Sequence, residues 1–173
     1  MIGIAGFEGY AVRFDELDTA GRIVLPGALD ESLRGFKDAG VMPALLWNHQ
    51  ADEIVGRLLA ITVDKTGLMV RGHLHLHTAR GRECLTLMRA GELGFSSSFT
   101  TTFRKPGVVE QCQLREITLT ATPSNPNCRA REVARQLSDV QSFESFLVDC
   151  GVGQTDARLL ASRGWPAIQD KPQ

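Results

Sequence analysis

Three serines in succession, Ser96-Ser97-Ser98, follow Gly94-Phe95, and what they can do depends on which way each points. Phe95, Phe99 and Phe103 fall at odd positions, whereas Ser96, Ser98, Thr100 and Thr102 fall at even ones. That is the period of a strand with one apolar and one hydroxyl face, so Ser97 goes with the phenylalanines and Ser96 or Ser98 is left for chemistry. A serine hydroxyl is a weak nucleophile near neutral pH until a base takes its proton and donors stabilise the oxyanion. His49 is a candidate base, because the apolar run Ala44-Leu45-Leu46-Trp47 reads as a buried strand that delivers Asn48-His49-Gln50 at its end. A carboxylate comes from the segment after the serines. There Ile117, Leu119 and Ala121 alternate with Glu116, Thr118 and Thr120, and a turn centred on Pro106 brings residue 96 about opposite residue 116. Serine, histidine and a carboxylate on strand ends are the parts of a nucleophile, base and orienter set. The same residue types are also ordinary occupants of a polar sheet face, and a lone histidine is usually a structural one.

The other three of the four histidines, His73, His75 and His77, alternate on one face of a strand. Imidazoles two apart point the same way and suit a metal-dependent hydrolase, but no Asp, Glu or Cys lies near in sequence to complete a ligand set. Cys84, Cys112, Cys128 and Cys150 form no C-x-x-C pair and are expected to be reduced thiols.

The elements that must position these groups are mostly strands. Residues 9–14 and 22–25 alternate like strands, separated by the Asp18-Thr19-Ala20-Gly21 turn and broken by Pro26-Gly27. Residues 28–39 carry Leu29, Leu33 and Phe36 at helical spacing, with Asp30 and Glu31 in the first turn and Gly40 at the stop. Residues 54–63 and 68–77 predict a hairpin around Asp64-Lys65-Thr66-Gly67, residues 79–89 a second helix ended by Gly91, and residues 94–104 and 108–121 a hairpin around Lys105-Pro106-Gly107. Thr122-Pro123-Ser124-Asn125-Pro126 stops the sheet. Residues 129–137 read as helical. Two short helices follow, at 143–150 and 155–162, with Gly164-Trp165-Pro166 as a stop and with Phe143, Phe146, Leu147, Leu159 and Leu160 needing another surface to pack on.

About seven strands and two helices in residues 1–126, without βαβ alternation, predict a mainly β, α+β fold: a small closed or partly closed β-barrel flanked by helices. The expected division is a barrel domain at 1–128 and a short helical C-terminal tail at 129–173. At 173 residues one ordinary domain with an appendage is the natural size. Nineteen basic against 20 acidic residues give a net charge of −1, so no basic field argues for nucleic acid. No apolar run reaches the ~20 residues of a membrane helix, and the first residues lack the pattern of a signal peptide, so a cytosolic protein is expected.

Taken together, the motifs resemble the phage prohead maturation proteases of the HK97 type, a serine peptidase family similar in fold to the herpesvirus assemblins. The resemblance covers most of residues 5–128. It runs from Gly9-Tyr10-Ala11 and Ile23-Val24-Leu25-Pro26-Gly27-Ala28 through Leu45-Leu46-Trp47-Asn48-His49, Gly67-Leu68-Met69-Val70-Arg71-Gly72 and Arg80-Gly81-Arg82-Glu83. It ends with Gly94-Phe95-Ser96, Glu116-Ile117-Thr118-Leu119 and Pro123-Ser124-Asn125-Pro126.

The resemblance implies a serine endopeptidase with Ser96 as nucleophile, His49 as general base and Glu116 orienting the imidazole, and with no cofactor and no metal. Ser98 stands where the family more usually has glycine, and assemblins place a second histidine in the third position. Also implied are the substrate, the scaffolding segment of the major capsid protein, with or without the protease itself, and the place, inside the assembling prohead in the bacterial host cytoplasm. The prohead shell, the portal and further copies of the chain are the other expected partners. The competing class is a non-catalytic capsid assembly or scaffold protein built on the same barrel. Geometry sets one condition on the peptidase: if Ser96 and Glu116 were direct cross-strand neighbours, about 5 Å apart at Cβ, no imidazole would fit between them. A diagonal offset, or an intervening strand carrying His49, is therefore required; failing both, Thr118 or a water would have to replace Glu116 as the orienting group. The turn at 122–125 offers backbone N–H groups where the resemblance puts a loop near the active site, as any turn would.

Overall fold

The computed structural model describes residues 4–135, 139–149 and 152–169. The chain divides into two compact units, Ile4–Ala134 and a helical unit beginning at Arg135. In the first unit, the strands are β1 (Ile4–Arg13), β2 (Ile23–Val24), β3 (Ala44–Trp47), β4 (Gln50–Val63), β5 (Gly67–Leu74), β6 (Gly94–Lys105), β7 (Val108–Thr120) and β8 (Arg131–Arg135). Helix α1 (Asp30–Ala39) lies between β2 and β3, and α2 (Ala79–Arg89) between β5 and β6.

One sheet holds the eight strands in the order β2-β7-β3-β4-β5-β1-β8, with β6 pairing β7. It curls without closing. An isolated bridge from Gly94 to Arg129, with backbone bonds from Phe95 N to Cys128 O (2.7 Å) and Ala130 N to Leu93 O (3.0 Å), ties the start of β6 to the segment before β8. The barrel is thus partial, within the mainly β, α+β class that the sequence predicts.

Strand β7 is the organising element. One of its edges pairs with β6; the other takes β2 in parallel at Val108 and Val109 and β3 in parallel from Glu116 to Leu119. Between those two contacts the edge would have unpaired N–H groups, and the turn before α1 and α1 itself supply acceptors instead: Cys112 N donates to Ala28 O (2.8 Å) and Leu114 N to Ser32 Oγ (2.9 Å). The opposite alternation of β7 is apolar. Ile117 and Leu119 are fully buried beside Leu45, Val55, Leu68, Val70 and Phe95, and the Phe7 and Phe95 rings meet at 5.6 Å. Such a pair adds about 0.5–1.5 kcal/mol beyond its buried area. Burial on this face fixes the register, because a slip of one residue would move Glu116 and Thr118 into the core.

Both helices of this unit stop where their sequences say. Gly40 ends α1 in a left-handed conformation (φ 65°), and the Thr78 hydroxyl caps α2 by accepting Gly81 N–H at 3.0 Å. Of residues 129–137, expected to be helical, 131–135 instead form β8, and 136–137 lie outside the described residues. The open edge of β1 decides this: β8 lies so close to it that a Cβ at Gly6 would meet Val133 O at 2.7 Å. Arg131 reaches Glu8 at 3.0 Å and Arg89 pairs with Glu132 at 2.7 Å, so the polar side chains also find partners in the extended form. Weak helical propensity gives way to tertiary pairing.

The second unit holds α3 (Val140–Asp149) and α4 (Gln154–Gln169), which pack against each other. The Phe143 and Phe146 rings stack at 6.3 Å, and Ala157 and Ala161, four apart, are the buried positions of α4. Leu159 and Leu160, expected to be covered, are 47% and 52% exposed. The expected stop at Gly164-Trp165-Pro166 does not act, and α4 continues to Gln169. Glycine and proline raise the cost of a helical turn without forbidding it. Cys150 lies outside the described residues.

Candidate active site

Strands β3 and β4 are joined by only two residues, Asn48 and His49, between the paired Trp47 and Gln50. Both loop residues have positive φ, 44° and 62°. Two-residue hairpin loops of this kind match the twist of the strands, and they favour Asn first and Gly second. Histidine in the second position costs about 1–2 kcal/mol relative to an ordinary conformation. The neighbouring strand holds the turn down: Asn48 N donates to Leu119 O (3.1 Å), and His49 N donates to Thr118 Oγ1 (3.0 Å). The Thr118 hydroxyl in turn donates to Leu46 O at 3.0 Å. Backbone strain held by surrounding contacts is a mark of a functional position.

This turn folds the imidazole over the polar face of β7. His49 Nδ1 lies 2.6 Å from Glu116 Oε1, with the histidine about half exposed and the glutamate side chain only 13% exposed. An ionised carboxylate only accepts, so the proton of this bond sits on Nδ1 and the lone pair is left on Nε2. Glu116 Oε2 is buried with no hydrogen-bond partner among the described residues. Among the described residues, the hydrogen bond of this carboxylate is the one with His49.

The serines sort as their alternation requires. Ser97 faces the core and donates to Ala11 O at 3.0 Å. Ser96 and Ser98 share the face of Glu116 and Thr118, but in a register two residues from the expected one: Ser96 pairs with Thr118, and Ser98 with Glu116. The loop is Pro106-Gly107, and irregularities after Ser98, Thr102 and Phe103 leave one more residue on β7 than on β6. Ser96 is consequently a diagonal neighbour of Glu116, a relation that spans roughly 7–8 Å and admits an imidazole.

Ser96 is 3% exposed, and its Oγ lies 3.1 Å from Ser124 Oγ. Among the described residues this hydroxyl, not His49, is its hydrogen-bond partner. Ser124 belongs to the loop after β7, which is clamped to the first residues after β1. Thr19 N donates to Ser124 O (2.8 Å), and Glu16 accepts from Asn125 Nδ2 and Asn127 Nδ2 (3.0 Å each) and from Arg13 Nε (2.6 Å). The hydrogen bonds from Asn127, Asn125 and Arg13 hold the Glu16 carboxyl below its ordinary range against the opposing effect of burial. A cavity of about 30 Å³, room for water, lies against Ser96, Ser124, Asn125 and Glu16. Ser124 was invisible as a site residue in the sequence, where its turn offered only backbone N–H groups.

The competing chemistries find less. The rings of His73, His75 and His77 stand side by side at 6.2 and 5.3 Å, and burial, then the charge of His77, pushes His75 down from its ordinary value. Among the described residues no group of three or more His, Cys, Asp or Glu is placed to hold a metal ion. Burial pushes the thiols of Cys84 and Cys128 up to about 12 and that of Cys112 to about 11, so these cysteines are protonated and poor nucleophiles. No described helix is long and apolar enough to cross a membrane.

Comparison with known proteins adds to this geometry. The sequence model of the caudovirus prohead serine protease family matches residues 3–143. The prohead protease of Enterobacteria phage HK97 is 28% identical over 179 residues, covering 96% of this chain and 78% of the relative. Among solved structures, the bacteriophage T4 capsid assembly protease superposes with a TM-score of 0.50 at 13% identity, covering 68% of this chain and 90% of that one. At such identity the likeness concerns the fold. A KSHV protease in complex with a hexapeptide phosphonate inhibitor gives a TM-score of 0.48 at 14% identity, covering 99% of this chain and 80% of that one.

Proposed function

Because this chain belongs to the caudovirus prohead serine protease family, and is accordingly a phage capsid maturation protease, we propose that its peptidase chemistry runs on Ser96 as nucleophile. His49 is the general base, and Glu116 is the positioning residue that holds the imidazole. The observation that carries this reading is the 2.6 Å contact between His49 Nδ1 and Glu116 Oε1, on the sheet face that Ser96 shares.

With Nδ1–H committed to Glu116, Nε2 takes the Ser96 proton as Oγ attacks the scissile carbonyl. The carbonyl π pair moves onto oxygen; when the intermediate collapses, the C–N bond breaks and His49 returns the proton to the leaving amine. Water, activated by the same nitrogen, then hydrolyses the acyl-enzyme and restores Ser96. Nucleophile and base need not touch at rest, since catalytic hydrogen bonds commonly tighten only when substrate is bound.

The substrate is the scaffolding segment of the major capsid protein, cut inside the assembling prohead in the host cytoplasm. The barrel domain carries the chemistry, and the helical tail serves as a targeting or self-processed segment. A second reading, a non-catalytic assembly or scaffold protein, is favoured by one fact: Ser96 is buried and its hydroxyl is engaged by Ser124. Co-expression with the capsid protein separates them. The wild type is expected to shorten the capsid protein, as read by intact mass, and Ser96→Ala to leave it whole. Full-length capsid protein beside both would make the chain an assembly factor.

A further inference from the structure

A tetrahedral intermediate on Ser96 needs hydrogen-bond donors aimed at its oxyanion; in the adjoining loop the N–H groups of Ser124 and Asn125 have no acceptor among the described residues, whereas the others are engaged. Thr122 N is taken by Thr120 Oγ1 (3.2 Å), Asn127 N by Asn125 Oδ1 (2.9 Å) and Cys128 N by Asn125 O (3.0 Å). The Asn125 amide donates to Glu16. His49 N is held by Thr118, and the Ser97 hydroxyl points into the core. Among the side chains of the described residues, the one hydrogen-bonded to the nucleophile is the Ser124 hydroxyl, 3.1 Å from Ser96 Oγ.

We infer that Ser124 is a catalytic residue of this site: its hydroxyl stabilises the oxyanion formed when Ser96 attacks. The inference rests on the reading of Ser96 as nucleophile and deepens it. Three features of the structure fit the role. Ser124 is partly exposed where Ser96 is 3% exposed, so it stands on the solvent side, the side from which a carbonyl must approach. Its backbone is fixed by Thr19 and its neighbour by Glu16, so the heavy atoms are preorganised while the hydroxyl hydrogen stays free to rotate. Finally, the acceptor changes during the reaction. Either hydroxyl can donate in this pair; in the orientation the reaction uses, the Ser124 O–H donates to Ser96 Oγ and leaves the Ser96 proton for His49 Nε2. After attack Ser96 Oγ is bonded to the carbonyl carbon, the negative charge lies on the adjacent oxygen, and the hydroxyl turns to that stronger acceptor. No proton leaves Ser124 at any point.

Phosphonylation by a fluorophosphonate reports this directly, because the reagent places a phosphoryl oxygen where the oxyanion would sit and needs no knowledge of the cleavage sequence. The full chain is treated with the reagent, and the adduct at Ser96 is followed by peptide mass in the wild type, Ser124→Ala, Ser124→Gly, Ser124→Thr and Ser96→Ala. Loss of one such donor is expected to slow modification by roughly 10²–10³-fold in the Ala and Gly variants. Ser124→Thr, which keeps the hydroxyl, is expected to stay within a few-fold of wild type, while the urea midpoints of all variants agree. Modification of Ser124→Ala and Ser124→Gly at the wild-type rate, or faster, overturns the inference and leaves Ser96 as nucleophile. A wild type that gains no adduct at Ser96 overturns the nucleophile reading itself, and the role of Ser124 with it.

Discussion

Thr118 stands directly opposite Ser96 in the β6–β7 ladder and, through its side-chain oxygen, accepts the backbone N–H of His49 at 3.0 Å. A single buried residue of β7 thus sets the separation between the proposed nucleophile and the loop that carries the proposed base, while Glu116, two positions earlier, holds the imidazole. The functional geometry is a property of one strand. The parallel pairing of β3 with β7, from Ala44 opposite Glu116 to Trp47 opposite Leu119, delivers the turn to the right end of that strand.

Replacing Thr118 by valine keeps its shape but takes away both of its hydrogen bonds, the one accepted from His49 N and the one donated to Leu46 O. Stranding two backbone groups is expected to cost about 1–3 kcal/mol of stability. Capsid-protein cleavage should slow through kcat with KM little changed, and Thr118→Ser should restore it. Urea unfolding and steady-state kinetics check the two effects separately.

Positive φ at His49 makes a second expectation sharp. His49→Ala and His49→Gly both remove the imidazole and should be equally inactive. Glycine tolerates the left-handed conformation and alanine does not, so His49→Gly should be the more stable of the pair by about 1 kcal/mol. Equal urea midpoints would mean that the turn relaxes once the imidazole is gone.

Glu16 gives the site an acid limit. Its carboxyl is held below the ordinary value of 4.5, first by the Asn127 side chain, then by Asn125 and Arg13. A folded-state value below the unfolded one contributes stability that is fully present above pH 4.5 and is lost as pH falls through the lower, folded-state value. Stability measured by urea unfolding should therefore differ between wild type and Glu16→Gln at pH 7, and the difference should shrink below pH 4.5. A gap that stays constant down to pH 3 would place the stabilisation elsewhere.

Much of this arrangement is legible in the residue pattern, and what is not has physical causes. The alternation of phenylalanine with serine in β6, and of Ile117 and Leu119 with Glu116 and Thr118 in β7, fixes faces because one side must be buried. It does not fix partners: the two-residue Pro106-Gly107 loop and the irregularities in the hairpin, one residue each, together move Ser96 from Glu116 to Thr118, and no periodicity encodes them. The extended form of residues 131–135 depends on an open edge of β1 more than a hundred residues away, so local propensity misreads it as helix. The Ser96–Ser124 contact joins residues 28 apart through a clamp at Glu16, and neither serine announces it.

The proposed pairing of His49 as base with Ser96 as nucleophile can be read without a substrate through a thiol at position 96. In Ser96→Cys the introduced thiol should be partly ionised by the imidazole, whereas the buried thiols of Cys84, Cys112 and Cys128 stay protonated. Iodoacetamide alkylation at position 96, followed by peptide mass at pH 7, is predicted to fall about tenfold when His49→Ala is added. Equal rates with and without the imidazole would contradict the pairing of base and nucleophile.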